Sequence, residues 1–101
     1  VGGSNLPIYI ILGKYTKEGI SKIKDSPMRY EAAKKVAQSV GGEIKNLYYT
    51  MGQYDFLSAV EAPSNEAMMQ ILLTLGSGGA VSTETLVAIP VDKGAEIIGK
   101  L

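Results

Sequence analysis

Between two runs of strand-forming residues lies Thr50-Met51-Gly52-Gln53-Tyr54-Asp55-Phe56, and no other stretch constrains the fold as much. A Gly-x-Tyr-Asp turn between adjacent strands makes them an antiparallel hairpin. Glu43 to Met51 is therefore read as the second strand, Tyr54 to Ala62 as the third, and Gly52-Gln53 as their connection. Everything before and after must add to that hairpin.

Ile8 to Tyr15 is almost wholly apolar and β-forming, which predicts a first strand after Pro7. Thr16 to Lys24 has room for a short helical turn. Asp25-Ser26-Pro27 then reads as a helix start, with Ser26 as N-cap and Pro27 at the first helical position. That helix is expected to reach about Val40, to bury a stripe of Met28, Ala32, Val36 and Val40, and to stop at Gly41-Gly42. Pro63-Ser64-Asn65 starts a second helix carrying Ala67, Met68, Ile71, Leu72 and Leu75 at helical spacing. Gly76-Ser77-Gly78-Gly79 ends it, Ala80 to Ile89 is the fourth strand, and Asp92 opens a short terminal helix through Ile98. The predicted class is α+β, a ferredoxin-like β-α-β-β-α-β unit with a four-stranded antiparallel sheet. Residues 6–101 form one domain, and residues 1–5 read as a flexible leader or cloning remnant.

The strands are apolar on both faces. Ile8, Ile10 and Leu12 share one face of the first strand, while Tyr9, Ile11 and Tyr15 share the other. The second strand divides into Leu47, Tyr49 and Met51 against Ile44 and Tyr48, the third into Phe56 and Val60 against Leu57 and Ala59. The fourth places Val81, Val87 and Ile89 opposite Leu86 and Ala88. Two main helices cover one side of such a sheet, and the other side of a monomer's sheet is ordinarily polar. At ~25 cal/mol per Å² of apolar surface, leaving these side chains wet is a heavy loss for a domain of marginal stability. A two-fold homodimer packed sheet against sheet is the expectation.

Composition narrows the chemistry. Ten basic and ten acidic residues cancel, so bulk charge favours neither nucleic acid nor an anionic membrane as partner. Arg29 is the single arginine, and there is no cysteine or histidine. Disulfides, thiolate chemistry, His-ligated haem and the usual metal-ligand sets are thereby excluded, and neither metal nor cofactor is expected. No apolar run approaches the ~20 residues of a membrane span, and the chain is read as cytoplasmic.

Five segments in register carry a family resemblance: Tyr9-Ile10-Ile11-Leu12-Gly13-Lys14-Tyr15-Thr16, Lys24-Asp25-Ser26-Pro27, Gly52-Gln53-Tyr54-Asp55, Glu61-Ala62-Pro63 and Val81-Ser82-Thr83-Glu84-Thr85-Leu86. From Ile8 to about Ile89 the chain resembles the GYD family of the dimeric α+β barrel group. Ser82 departs from it, standing where a basic residue is expected. A more distant similarity is to the effector-binding domain of Lrp/AsnC-type regulators, in which amino-acid ligands sit at subunit interfaces beside such turns. Gly52, Tyr54, Asp55, Thr83 and Thr85 match that pattern. The helix-turn-helix part of those regulators has no counterpart here, so DNA binding does not follow.

The candidate ligand-binding residues are Gly52, Tyr54, Asp55, Thr83, Thr85, Glu84 and Tyr48. Each also has a structural reading. Gly52 permits a positive φ and Asp55 bonds nearby backbone, or Asp55 accepts from a ligand ammonium at a cleft mouth. Tyr48, Tyr49 and Tyr54 are expected to cluster at the hairpin near Tyr9 and Tyr15, as packing or as a pocket lining. Glu84 is either an edge carboxylate paired with a lysine or an acid raised by burial inside the barrel. Lys24 and Arg29 beside the helix start offer an anion site that capping alone does not require.

Two functions compete. One is a non-enzymatic homodimer, extendable to higher oligomers, that binds an amino-acid-like ligand near the hairpin or serves assembly. The other, implied by the wider barrel group, is a cofactor-independent oxygenase- or isomerase-like enzyme for a small aromatic or acidic substrate. The missing histidine and tryptophan weigh against the second, and no catalytic residue is assigned.

Overall fold

The computed structural model describes residues 6–101, so the reading of residues 1–5 lies outside the described part. The elements follow the expected order: β1 (Ile8–Tyr15), α1 (Lys17–Ser21), a 3-10 turn (Ile23–Asp25), α2 (Ser26–Ser39), β2 (Glu43–Tyr49), β3 (Phe56–Glu61), α3 (Asn65–Ser77), β4 (Val81–Ala88) and α4 (Val91–Ile98). The four strands make one antiparallel sheet in the order β2-β3-β1-β4. This is the ferredoxin-like α+β arrangement. The apolar β1 sits at the centre, where both of its edges are paired.

Helices α2 and α3 lie on one face. Tyr9, Ile11 and Val60 from the sheet, Ala33 and Ala37 from α2, and Met68 and Ile71 from α3 form the buried core. Helix α3 turns the residues its periodicity named inward, Met68 and Ile71 buried and Ala67, Leu72 and Leu75 partly so, and Ser64 caps it by accepting the Ala67 N–H at 3.1 Å. Helix α2 meets half of the expectation. Val36 and Val40 pack partly buried against the core, but Met28 is 72% exposed and Ala32 is exposed, and the buried residues are Ser26, Ala33 and Ala37. Helical periodicity gives a spacing but not a phase, and the small, wholly buried Ala37 is what lets α2 lie close to the sheet. Asp25, not Ser26, is the N-cap residue, without a side-chain capping bond. Ser26 is already helical, and its buried hydroxyl is committed elsewhere. The stop at Gly41 is as expected: φ is +81°, Gly42 N–H bonds Ala37 O at 2.8 Å and Gly41 N–H bonds Gln38 O at 3.1 Å, a Schellman ending.

Strand β2 contains a feature invisible to simple alternation. Its register against β3 shifts between Ile44 and Asn46, a β-bulge. The extra residue, Lys45, returns Leu47 to the face of Ile44, so these two residues do not oppose each other as alternation predicts. The Asn46 side chain mends the ladder, its Oδ1 accepting the Ala59 N–H at 3.0 Å while Ser58 Oγ donates to Asn46 O at 2.5 Å.

Among the described residues, no helix packs on the opposite face of the sheet. The cross-strand register puts Ile8, Ile10 and Leu12 of β1 beside Leu57 and Ala59 of β3 and Leu86 and Ala88 of β4. Leu86 is 45% exposed. Helix α4 also buries none of its residues, and Val91 and Ile98 are exposed on it. No helix among the described residues is long and apolar enough to cross a membrane.

Candidate functional site

The hairpin is wider than a two-residue turn. Strand β2 ends at Tyr49 and β3 begins at Phe56, and Thr50 closes the loop between them. Its N–H bonds Asp55 O at 2.8 Å and its Oγ1 donates to Tyr54 O at 2.7 Å. Gly52 sits at the tip with φ +109°, a conformation side chains disfavour. Among the described residues, no atom beyond its chain neighbours approaches within 4 Å of where a Cβ would stand there, so the requirement is one of backbone and not of space.

Asp55 locks the base of the loop to β1. Its N–H donates to Gly13 O at 2.7 Å, and its Oδ2 accepts the Tyr15 N–H at 2.9 Å. The carboxylate thus satisfies a strand N–H after β3 has turned away. Beside it runs a chain of hydroxyls on the helix side of the sheet. Ser26 Oγ lies 3.2 Å from the Tyr15 phenol and 2.8 Å from the Tyr49 phenol, joining the end of β1, the start of α2 and the end of β2. An open groove of about 600 Å³ lies over this chain, lined by Ile20, Ile23 and Lys24 together with Tyr49, Thr50 and Asp55. It presents one cation, one carboxylate and an apolar flank.

The sequence-derived set divides in space. Asp55 lines the groove. Tyr54 and Glu84 meet on the uncovered sheet side, where the Tyr54 phenol donates to Glu84 Oε1 at 2.8 Å and Lys14 Nζ lies 5.6 Å from the Tyr54 ring centre. That hydrogen bond, with burial and the Glu84 charge behind it, raises the Tyr54 phenol above its usual range. The partner of Glu84 is thus a tyrosine, where a lysine was expected. Thr83 and Thr85 stand in register with Gly13 and Ile11 on the helix-covered side, opposite to Glu84. Tyr48 is 59% exposed and pairs in register with Leu57 on the uncovered side. The tyrosines therefore do not form one cluster. Tyr15 and Tyr49 join through Ser26, while Tyr9 donates to Asn65 Oδ1 at the far end of β1.

The groove residues that the sequence did not single out are Ser26 as a hydroxyl link, Thr50, and the pairing of Tyr15 with Tyr49. The bulge is the missing signal: once Lys45 is counted as extra, Leu47 and Tyr49 fall on the face of Ile11 and Tyr15.

Comparison with known proteins follows the same lines. A Thermus thermophilus protein named glutamine synthetase and cystathionine beta-lyase binding protein is 33% identical over 97 residues, covering 95% of this chain and 99% of that one. Among solved structures, the feast or famine regulatory protein of M. tuberculosis complexed with L-methionine aligns with TM-score 0.65 at 16% identity over 84% of this chain. The leucine response regulatory protein of Mycobacterium tuberculosis aligns with TM-score 0.63 at 15% identity over 83%. This chain spans 51% of each regulator, and likeness at such identity is one of fold. The GYD domain model matches residues 9–98, and with the Thermus relative this places the chain in the GYD domain family.

Proposed function

We propose that this chain works as a two-fold homodimeric binding module, not as an enzyme, with the groove beside Asp55 as its ligand site. The observation that carries the reading is the uncovered sheet face. Its centre, Ile8, Ile10 and Leu12 flanked by Leu57, Ala59 and Leu86, is apolar, and the charged residues Lys14, Glu43, Glu61 and Glu84 stand at the margins. An apolar centre with a polar rim is the anatomy of a protein–protein interface. A second copy related by a two-fold axis offers the same surface in return.

The groove supports the ligand part. Lys24 and Asp55 supply opposite charges for the carboxylate and ammonium of an amino acid, and Ile20, Ile23 and Tyr49 supply apolar contact for its side chain. The regulator with the same fold was solved with an amino acid. The name of the Thermus relative supports an assembly role: a dimer of this kind holds an enzyme through surfaces outside the sheet interface, and the exposed α4 is one such surface.

Thermal-shift measurements with the twenty amino acids test the ligand site. At least one is expected to stabilise the wild type and to lose that effect in Asp55→Ala. Equal stabilisation of both proteins, or none of either, rejects the groove. Light scattering tests the dimer, and a monomer mass at micromolar concentration rejects it.

A further inference from the structure

Behind the hydroxyl chain lies a second space. It is a cavity of about 80 Å³ between α2 and the sheet, walled by Ile11, Ile44, Leu47, Phe56 and Leu75. Its polar lining is Tyr15, Ser26, Arg29, Tyr30 and Ser58; Ser26 Oγ lies 3.2 Å from the Tyr15 phenol, and the Ser58 hydroxyl is already committed to Asn46 O. Arg29 is the only arginine of the chain. Its Nη1 donates to Lys22 O at 3.1 Å, while its Nη2 is buried with no hydrogen-bond partner among the described residues. A buried guanidinium N–H left unpaired is costly, so such a group is ordinarily matched by an acceptor.

We infer that this cavity is a binding site for a short aliphatic monocarboxylate, with the carboxylate at Arg29 and the Tyr15–Ser26 hydroxyls and the carbon chain among Ile11, Ile44, Leu47, Phe56 and Leu75. The charge follows from Arg29, whose planar fork matches a carboxylate and which has no acidic partner on the cavity wall. The tail follows from the remaining walls, which are aliphatic and aromatic apart from Ser58, whose hydroxyl is spent on Asn46 O. The size follows from the volume. Several times the ~10–15 Å³ that one water needs, it is about half of the ~150 Å³ cavity known to hold the six carbons of benzene, which leaves room for a tail of about two to three carbons, that of propionate or butyrate, with the carboxylate at Arg29. An α-amino acid does not suit it, because no carboxylate lines the cavity to receive an ammonium. The site is independent of the groove reading, although Tyr15 and Ser26 border both spaces.

The test is an amide NMR titration of the full chain with sodium acetate, propionate, butyrate and hexanoate, with butyramide and 2-aminobutyrate as controls. Butyrate or propionate is expected to shift the amides of Leu47 and Ser58 saturably, and butyramide and 2-aminobutyrate are expected not to. Arg29→Gln should weaken the acid by about tenfold or more, the loss of a charge-assisted pair. Ala33→Val, which grows into the cavity from its α2 wall, should abolish binding while the circular dichroism spectrum stays native. Should Arg29→Gln not fold, Ala33→Val and the butyramide control decide alone. Asp55→Asn keeps an acceptor for Tyr15 and should leave butyrate binding intact, which separates this site from the groove. Butyramide binding as well as butyrate, butyrate binding undiminished in Ala33→Val, or no saturable shift with any acid overturns the proposal.

Discussion

The Asp55 carboxylate stands in for a missing strand residue, its Oδ2 accepting the Tyr15 amide at 2.9 Å just beyond the last β1–β3 register pair, Gly13 with Phe56. The hairpin is thereby fastened to the centre of the sheet by a side chain, and the groove wall formed by Tyr15 inherits its position from that bond. Removing the carboxylate leaves a partly buried N–H without its acceptor. Asp55→Ala is expected to lower stability by about 1–3 kcal/mol, and Asp55→Asn, which keeps an acceptor oxygen, by less. Urea denaturation of the three proteins checks this, and equal midpoints for wild type and Asp55→Ala refute it.

Gly13 and Phe56 pack in register as well. A Cβ on Gly13 would lie 2.0 Å from Phe56 Cζ, so the ring occupies the place of a side chain. Gly13→Ala must displace a ring that is packed against Tyr15, with centroids 5.5 Å apart. A cost of about 1–3 kcal/mol is expected from overpacking. The double variant Gly13→Ala with Phe56→Leu should be less destabilised than the sum of the singles, a coupling read from a double-mutant cycle.

Tyr54 offers a pH signature. Its phenol is raised by the hydrogen bond to Glu84, by burial and by the Glu84 charge. A raised phenol keeps its proton longer in the folded state than in the unfolded one. The linked stability is therefore full below the ordinary tyrosine value of about 10 and is lost as pH rises through the higher folded value. Ultraviolet difference titration of wild type against Tyr54→Phe should isolate this late-ionising group. Glu84→Gln should bring its midpoint down towards the ordinary value of about 10, and an unchanged midpoint contradicts the assignment.

The uncovered sheet face predicts a mass change. Ile10 lies at its centre, flanked by Ala59 and Leu86. Ile10→Asp places a charge where a second copy would desolvate it, so the variant should be monomeric while retaining native circular dichroism. Light scattering that gives the same mass for both proteins would show that this face is not the interface.

Much of this protein was legible in the chain. Strand β1, both long helices, the Ser64 cap and the Gly41 stop follow from periodicity and local backbone chemistry, which act between residues close in sequence. The apolar character of both sheet faces was equally plain, because alternation within a strand is a local property. Tertiary structure decided the rest. The bulge at Lys45, held by the Asn46 amide against Ala59, changes which β2 residues face the helices, and no pattern within β2 announces it. The phase of α2 depends on Ala37 fitting beneath a sheet that other segments build. Ser26 looked like a cap and became the link between Tyr15 and Tyr49, and Arg29 became a cavity wall. Sequence alone determined the elements and the ferredoxin-like order. Which side chains meet was settled only when strands distant in the chain took their register, since a one-residue slip sends every following side chain to the other face.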